Sequence, residues 1–285
     1  MSCLIVISWL SFSRLIPEKV MNTMQEDLCL LDDTVLPCEV IGNPKDLQIV
    51  WGHGLGPTDP RAMHRRSCES FPVISDSVAA AKTKGTPFSA VLFDARGHGK
   101  SSGWEPMAGC IQQFLWRNLA FDMLTVASNF RHLPIRKQRG ALLGGFSMGA
   151  STALWAAHLC PTLVRGLVLF SVTTAWEIRA ARRSYLLKCV EKLEGTDPAA
   201  AEVVKGAAYT DLPSLEDLAA SKLQIPVLLC AARDDKTHPA EVAERLNTVL
   251  PKAELLVMDT KEELNQAFPS HLGSWLQRNF SEMEE

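Results

Sequence analysis

The chain has 285 residues, a net charge of −3, and a composition that is 47% hydrophobic and 21% charged. This length suits one large α/β domain or two small ones, and the composition is that of a globular protein with a sizeable core. The small acidic net charge argues against the strongly basic surface typical of nucleic-acid-binding domains, so no nucleic-acid partner is expected.

The eight cysteines form neither a C-x-x-C pair nor a Cys/His spacing typical of metal sites. Scattered cysteines in a chain of this size indicate free thiols in a reducing compartment. We therefore expect a cytoplasmic protein with no metal ion and no disulfide framework.

Residues 1–24 precede the regular hydrophobic pattern and are predicted to be a disordered extension, with Met21 or Met24 as candidate starts of the mature chain. The apolar run at residues 4–10 is too short to cross a bilayer as a helix. It also lacks the basic region of a secretory signal. No membrane span is expected.

Short apolar runs alternate with helical patterns along the rest of the chain. Strands are predicted at residues 28–31 and 35–41, as a hairpin, and then at 47–51, 90–93, 141–143, 163–170, 226–232 and 254–258. Helices are predicted at residues 75–84, 114–130, 150–159, 175–193, 198–208, 239–250 and 269–280. Near-continuous apolar strands indicate a mostly parallel central sheet with helices on both faces.

The motif with the most specific chemical meaning is G-x-S-x-G, formed by Gly145, Ser147 and Gly149 with Phe146 and Met148 between them. It follows a predicted buried strand and opens an apolar helix, as the motif requires. A strand that turns at once into a helix forces its central residue into a strained conformation, and the glycines leave room for that turn. Ser147 is therefore the predicted nucleophile.

A second loop, His53-Gly54-Leu55-Gly56, directly follows a predicted strand. With the serine motif, it makes the chain resemble the α/β-hydrolase superfamily over about residues 25–280, and in particular capped esterases and 3-oxoadipate enol-lactonases. The resemblance implies an oxyanion hole made by the backbone N–H groups of Leu55 and Met148. It also implies that His53 and Gly54 border the substrate, with His53 structural rather than a proton shuttle.

A third segment, at residues 94–101, reads Asp-Ala-Arg-Gly-His-Gly-Lys-Ser and is similar to the D-x-R-G-x-G-x-S turn of the same superfamily. There the turn shapes the loop beside the site and takes no part in the chemistry. The segment lacks the remaining glycines and the Lys-Ser/Thr placement of a nucleotide-binding P-loop. No cofactor is expected.

The resemblance places the acid of a catalytic triad after the strand at residues 226–232, where Asp234 and Asp235 follow each other. Asp235 is the preferred candidate, because Ala232 then occupies the glycine position of a G-x-x-D ending. A buried carboxylate at this point would orient a histidine and stabilise its charged form. Alternatively, both acids cap the helix that follows.

The histidine is the open question, because the segment after the last strand, at residues 259–264, contains none. His271 is the preferred base, since the chain order Ser, Asp, His is the order of this fold. Alternatively, His238 acts from the neighbouring loop, or the histidine base is lost. In the last case Glu263, which falls near the usual histidine position, is a weak substitute base or a solvated side chain.

Residues 173–222 interrupt the alternation, in the position of the superfamily's helical cap, so the core is predicted at 25–172 and 223–280. A cap restricts substrate size and excludes water. Trp176 is a candidate substrate contact, with Tyr185 and Leu186. A basic stripe comprises Arg179, Arg182, Arg183 and Lys188. It is interpreted as a solvated helix face rather than a device that steers anionic substrates.

The sequence therefore predicts a serine hydrolase of the carboxylesterase or lactonase type, which cleaves a small ester through an acyl-enzyme. Ser147 attacks, His271 takes its proton and Asp235 supports the imidazolium. One alternative is a catalytically impaired protein of this fold that binds a ligand or a partner. Another is a related enzyme, such as a cofactor-free haloperoxidase or a carbon–carbon bond hydrolase. The oligomeric state is left open.

Overall fold

A computed structural model describes residues 23–102, 111–130, 140–221 and 223–280. The predicted extension lies outside the described residues except for Thr23 and Met24, which begin the first strand. The acidic end of the chain, at residues 281–285, also lies outside them.

Eight strands form one sheet. They are β1 (Thr23–Cys29), β2 (Val35–Ile41), β3 (Leu47–Gly52), β4 (Phe88–Phe93), β5 (Ala141–Ser147), β6 (Val164–Val172), β7 (Val227–Ala232) and β8 (Ala253–Met258). Their order is β1-β2-β4-β3-β5-β6-β7-β8. The predicted hairpin β1–β2 is antiparallel, as is the pairing of β2 with β4, and every other neighbouring pair is parallel.

The helices of the described chain are α1 (Ser70–Thr83), α2 (Trp116–Asn129), α3 (Met148–Leu159), α4 (Arg179–Glu194), α5 (Pro198–Ala208), α6 (Leu215–Ser221), α7 (Ala240–Val249) and α8 (Lys261–Phe280). A buried cluster that includes Met123, Leu154 and Leu246 joins α2, α3 and α7 to the sheet. A second cluster joins α1 and α8 to the sheet, through Ile74 and Trp275 among others. The predicted fold class, a mostly parallel sheet covered by helices on both faces, is confirmed.

The last helix is longer than the sequence predicts. It begins at Lys261 rather than at Pro269, which lies inside it. The Thr260 N–H donates to the Glu263 carboxylate at 3.2 Å, and the Glu263 N–H donates to the Thr260 hydroxyl at 3.2 Å. This reciprocal capping box starts the helix early. Only Asp259 and Thr260 then separate β8 from α8.

The interrupting segment contains α4, α5 and α6. Seven buried residues of α4 and α5 form a small apolar cluster of their own: Leu186, Cys189, Val190, Ala201, Val204, Ala207 and Ala208. Arg179, predicted to lie on a solvated face, is instead 1% exposed. Its guanidinium donates to the carbonyls of Thr174, Ala207 and Thr210 at 2.8, 2.6 and 2.7 Å, so it fastens the end of α5 to α4 and to the segment after β6.

Candidate functional site

Ser147 stands at the turn from β5 into α3. Its backbone has φ 54° and ψ −108°, a left-handed φ that an L-residue adopts only under strain. Such a conformation costs about 1–3 kcal/mol and persists where the surrounding structure enforces it. Here the sheet fixes one side of the turn and the packed helix fixes the other. The strained turn that G-x-S-x-G predicts is therefore present.

The flanking glycines are needed because β3 passes directly behind the turn. A Cβ atom on Gly149 would lie 2.1 Å from the carbonyl oxygen of Gly52, and one on Gly145 would lie 2.5 Å from the same oxygen. Neither position has room for a side chain. The Gly149 N–H also donates to the His53 carbonyl at 3.0 Å, which ties the start of α3 to the loop after β3.

Three side chains meet at the carboxyl edge of the sheet. Nε2 of His238 lies 2.9 Å from Oγ of Ser147, although the two residues are 91 positions apart in the chain. Nδ1 of His238 lies 2.9 Å from Oδ2 of Asp235. Because the Asp235 carboxylate accepts the Nδ1–H, Nε2 is left as the acceptor for the serine hydroxyl. This arrangement can remove the Ser147 proton during nucleophilic attack.

The loop after β7 is folded around the Asp235 carboxylate. Oδ1 accepts the backbone N–H groups of Thr237 and His238 at 2.9 and 3.1 Å, while Oδ2 faces the imidazole. Burial alone would raise the pKa of Asp235, but the hydrogen bonds and charge of His238, with the two backbone N–H groups, outweigh it and lower the pKa to about 2. Asp235 is therefore a carboxylate at neutral pH.

His271, the preferred base in the sequence analysis, does not occupy this position. It is an exposed residue on α8. Only two residues connect β8 to α8, so no loop at this point could carry His271 to Ser147. The Ser147 hydroxyl is hydrogen-bonded to His238 instead. The sequence preference for His271 is thus corrected on geometry: the histidine in contact with Ser147 is the alternative, His238. Asp235-x-x-His238, directly before Pro239, is the signal from which this pairing could have been read.

Asp234, in the loop after β7, and Glu263, in the first turn of α8, both form hydrogen bonds at the start of that helix. Asp234 Oδ1 accepts the Lys261 N–H at 3.0 Å, and Glu263 completes the capping box with Thr260. Asp234 therefore caps α8, whereas Asp235 faces His238. Glu263 also caps α8 and does not contact Ser147 in the hydrogen-bond network described above.

The His53-Gly54-Leu55 loop lies beside Ser147, since a Cβ atom on Gly54 would be 3.7 Å from the serine Cβ. His53 is 2% exposed, and burial lowers its pKa. Its Nδ1–H donates to the Gly54 carbonyl at 2.7 Å, and its Nε2 accepts the Ala95 N–H at 2.9 Å. With both ring nitrogens in use, His53 joins two loops of the protein, and substrate contact by His53 and Gly54 stays a prediction.

Leu55 lies at the boundary between the core and the interrupting segment. Its partly buried side chain packs against the main core cluster, against the apolar cluster of α4 and α5, and against Phe114 and Val203. Met148 is the first residue of α3, where backbone N–H groups have no acceptor within the helix. The oxyanion role of these two N–H groups stays a prediction.

Trp176, the predicted substrate contact in the interrupting segment, is held by neighbouring residues. Its indole N–H donates to the Pro213 carbonyl at 3.0 Å, and its ring centroid lies 4.6 Å from the Arg245 guanidinium carbon. Its backbone N–H donates to Asp211 at 3.0 Å. These contacts fasten the start of the segment, and substrate contact by Trp176 stays a prediction.

The turn at residues 94–101 is held by charge pairs. Asp94 accepts the N–H groups of Arg65 and Lys100 at 2.9 and 3.1 Å and pairs with the Arg65 guanidinium at 2.9 Å. Arg96 donates to the Asp122 carboxylate at 2.9 and 3.0 Å. The turn thus braces the loops on this edge of the sheet.

Within the described residues, no group of His, Cys, Asp and Glu side chains is arranged to hold a metal ion. None of the helices over the same ranges is long and apolar enough to cross a membrane. The cysteines at 29, 38, 68, 160, 189 and 230 are free thiols.

No protein-family model matches the chain. Over 159 residues, 50% of the chain, it is 27% identical to the tRNA 5-methylaminomethyl-2-thiouridine biosynthesis bifunctional protein MnmC of Paracidovorax citrulli. The match spans only 22% of that relative's length.

Solved structures resemble the chain over most of its length. A hydrolase from Pseudomonas aeruginosa has a TM-score of 0.64 and 19% identity, with 88% of this chain and 98% of that one covered. An esterase from Pyrococcus furiosus has a TM-score of 0.64 and 19% identity, with 94% of this chain and 96% of that one covered. An esterase from Exiguobacterium antarcticum has a TM-score of 0.63 and 18% identity, with 89% of this chain and 100% of that one covered. With its mostly parallel sheet and the strained serine turn at the carboxyl end of β5, the chain has the α/β-hydrolase fold.

Proposed function

We propose that the protein is a serine hydrolase that cleaves a small ester or lactone through an acyl-enzyme, with Ser147, His238 and Asp235 as its catalytic triad. The observation that carries the proposal is the pair of 2.9 Å contacts through which His238 joins Ser147 and Asp235. Similarity to solved esterases and hydrolases supports the same reaction class.

In the first half of the reaction, Ser147 Oγ attacks the ester carbonyl carbon while His238 Nε2 takes the hydroxyl proton. Asp235 stabilises the imidazolium that forms. The tetrahedral oxyanion is held by the N–H groups of Leu55 and Met148, which can contribute several kcal/mol to lowering the barrier. The C–O bond of the leaving group then breaks, and His238 returns the proton to the departing alkoxide.

In the second half, His238 removes a proton from water, and the resulting nucleophile attacks the acyl carbon. The bond to Ser147 Oγ breaks, the serine recovers its proton from His238, and the carboxylic acid leaves. The two steps together consume one ester and one water and require no electron transfer. They therefore call for no cofactor.

The test is fluorophosphonate labelling of the purified protein, run with a short-chain nitrophenyl ester assay. We expect labelling and turnover to disappear in Ser147→Ala and to fall by about 10⁴-fold or more in His238→Ala. His271→Ala is the matched control, because it removes an exposed imidazole of α8, and it should behave as wild type.

Two outcomes would count against this assignment. Loss of activity in His271→Ala with retention in His238→Ala would reverse the choice of histidine. A wild-type protein that neither labels nor turns over esters would favour the alternative function, a ligand-binding protein of this fold. One feature of the sequence favoured that alternative, because no histidine directly follows β8. The contact of His238 with Ser147 supports the enzyme instead.

A further inference from the structure

Phe146, the residue before the serine, packs against the ring of His238. The two ring centroids are 4.9 Å apart and the rings are inclined by 59°. Both residues are 7% exposed. Since Phe146 lies in β5 next to Ser147, its ring is held by the same strand that positions the nucleophile.

Behind Phe146 lies a row of buried aromatic side chains, which we call the aromatic row. Phe170 of β6 is 6.2 Å from Phe146, Phe268 of α8 is 4.8 Å from Phe170, and Trp51 of β3 is 6.1 Å from Phe268, all between ring centroids. The row thus connects three strands and the last helix. Its end at Phe146 is supported by elements that cannot shift without disturbing the core.

The front of the Phe146 ring is also confined. A Cβ atom on Gly54 would lie 2.9 Å from Cδ1 of Phe146, so the ring packs against the backbone of the loop after β3. Phe146 therefore touches both the loop beside the serine and the imidazole.

The two hydrogen bonds of His238 act at the edge of its ring and leave the ring faces without support. The ring can turn about its Cβ–Cγ bond. Such a turn would carry Nε2 out of line with Ser147 Oγ, and hydrogen bonds weaken steeply with misalignment. A rigid side chain packed against the ring opposes this rotation, and Phe146 is in that position.

We propose that Phe146 is a positioning residue that fixes the imidazole plane of His238 toward Ser147. The inference rests on the proposed function. In this chain α8 follows β8 after two residues and contributes Phe268 to the aromatic row, while the histidine comes from the loop after β7. The row gives this loop-borne histidine a rigid support.

The kinetic experiment compares Phe146→Leu with Phe146→Tyr. A misplacement of about 1 Å can cost roughly 100-fold in rate, so we expect Phe146→Leu to lower kcat by about 10- to 100-fold with little change in KM. Phe146→Tyr should keep most of kcat, because it restores the ring. Phe146 borders a cavity of ≈ 20 Å³ that is also lined by Ser70, Ser171 and Asn265, whose polar groups suit an added hydroxyl.

Phe88→Leu is the control for general loosening of the fold. Phe88 is 1% exposed and belongs to the same apolar cluster as Phe146. The Phe88→Leu variant should have a lower free energy of unfolding without a comparable loss of kcat. Equal losses of kcat in Phe88→Leu and Phe146→Leu, or a Phe146→Tyr variant as impaired as Phe146→Leu, would overturn the proposal.

A second readout does not depend on turnover. The Nδ1–H proton that His238 shares with Asp235 should give a downfield proton NMR signal in Ser147→Ala, assigned by its loss on adding His238→Gln. Phe146→Leu should broaden this signal and Phe88→Leu should not. An unchanged signal in Phe146→Leu would refute the positioning role. If the wild-type protein neither labels nor turns over esters, the proposed function fails and this signal alone decides the role of Phe146.

Discussion

Asp235 and His238 are three residues apart in one loop, and a hydrogen bond of 2.9 Å joins Oδ2 of Asp235 to Nδ1 of His238. The same loop therefore supplies both the carboxylate and the imidazole that face Ser147. Thr237 and His238 donate their backbone N–H groups to the other carboxylate oxygen, so the loop is closed around Asp235. The distance between the acid and the base is therefore set by hydrogen bonds within this loop.

Replacing Asp235 by Asn should nearly abolish the reaction without unfolding the loop. The amide can still accept the two backbone N–H groups, but its NH₂ group would face Nδ1 and favour the wrong imidazole tautomer. We expect kcat to fall by about 10⁴-fold, measured with a nitrophenyl ester.

Asp234→Asn is the matched control for that variant. Its carbonyl oxygen can still accept the Lys261 N–H at the start of α8, so kcat should stay near the wild-type value. A larger loss in Asp234→Asn than in Asp235→Asn would contradict the assignment of the acid.

Ser147→Gly should be more stable than Ser147→Ala. Glycine adopts the φ of 54° without a Cβ clash, whereas alanine keeps the strain of about 1–3 kcal/mol. Part of this gain is offset by the extra chain entropy of glycine, so we expect a difference of about 1 kcal/mol in the free energy of unfolding, measured in urea. Equal unfolding midpoints would show that the turn is relaxed.

The contribution of Asp235 to stability should be lost in acid. Its pKa is lowered from an ordinary value of 3.8 to about 2 in the folded protein. A group with a depressed folded pKa stabilises the protein above its unfolded pKa, and the contribution declines as the pH falls through the folded pKa. The stability of the wild-type protein relative to Asp235→Asn should therefore shrink between about pH 4 and pH 2. A difference that stays constant over this range would disprove the pKa shift.

Removing the buried guanidinium of Arg179 should weaken the attachment of α5. Arg179→Met leaves three carbonyl acceptors without their donor, and a buried unsatisfied group costs about 1–3 kcal/mol. We expect the free energy of unfolding to fall by about 3 kcal/mol, measured by denaturant titration. Lys188→Met changes an exposed cation on the same helix and should shift stability by less than about 0.5 kcal/mol. Similar effects of the two substitutions would contradict the structural role of Arg179.

Much of the fold could be predicted because its signals are local. Buried strands are marked by continuous apolar runs, and the bounds of α5 agree with the prediction because Asp197 caps the helix and Pro198 opens it. The start of α8 was missed because Pro269 is a strong local signal for a helix start. The capping box of Thr260 and Glu263 took precedence.

The sequence by itself identified Ser147 as the candidate nucleophile, since the glycines two positions to either side of it provide the space that its strained turn needs. It also limited the candidates for the acid of the triad to two neighbouring aspartates. The histidine was decided only by tertiary structure. His238 and Ser147 are 91 residues apart, and they meet because β5 and β7 flank β6 in a parallel sheet whose carboxyl ends share one edge. The Asp235-x-x-His238 spacing indicates which histidine can pair with the acid, but it does not show that this pair reaches Ser147, because that depends on strand order and on where α8 begins.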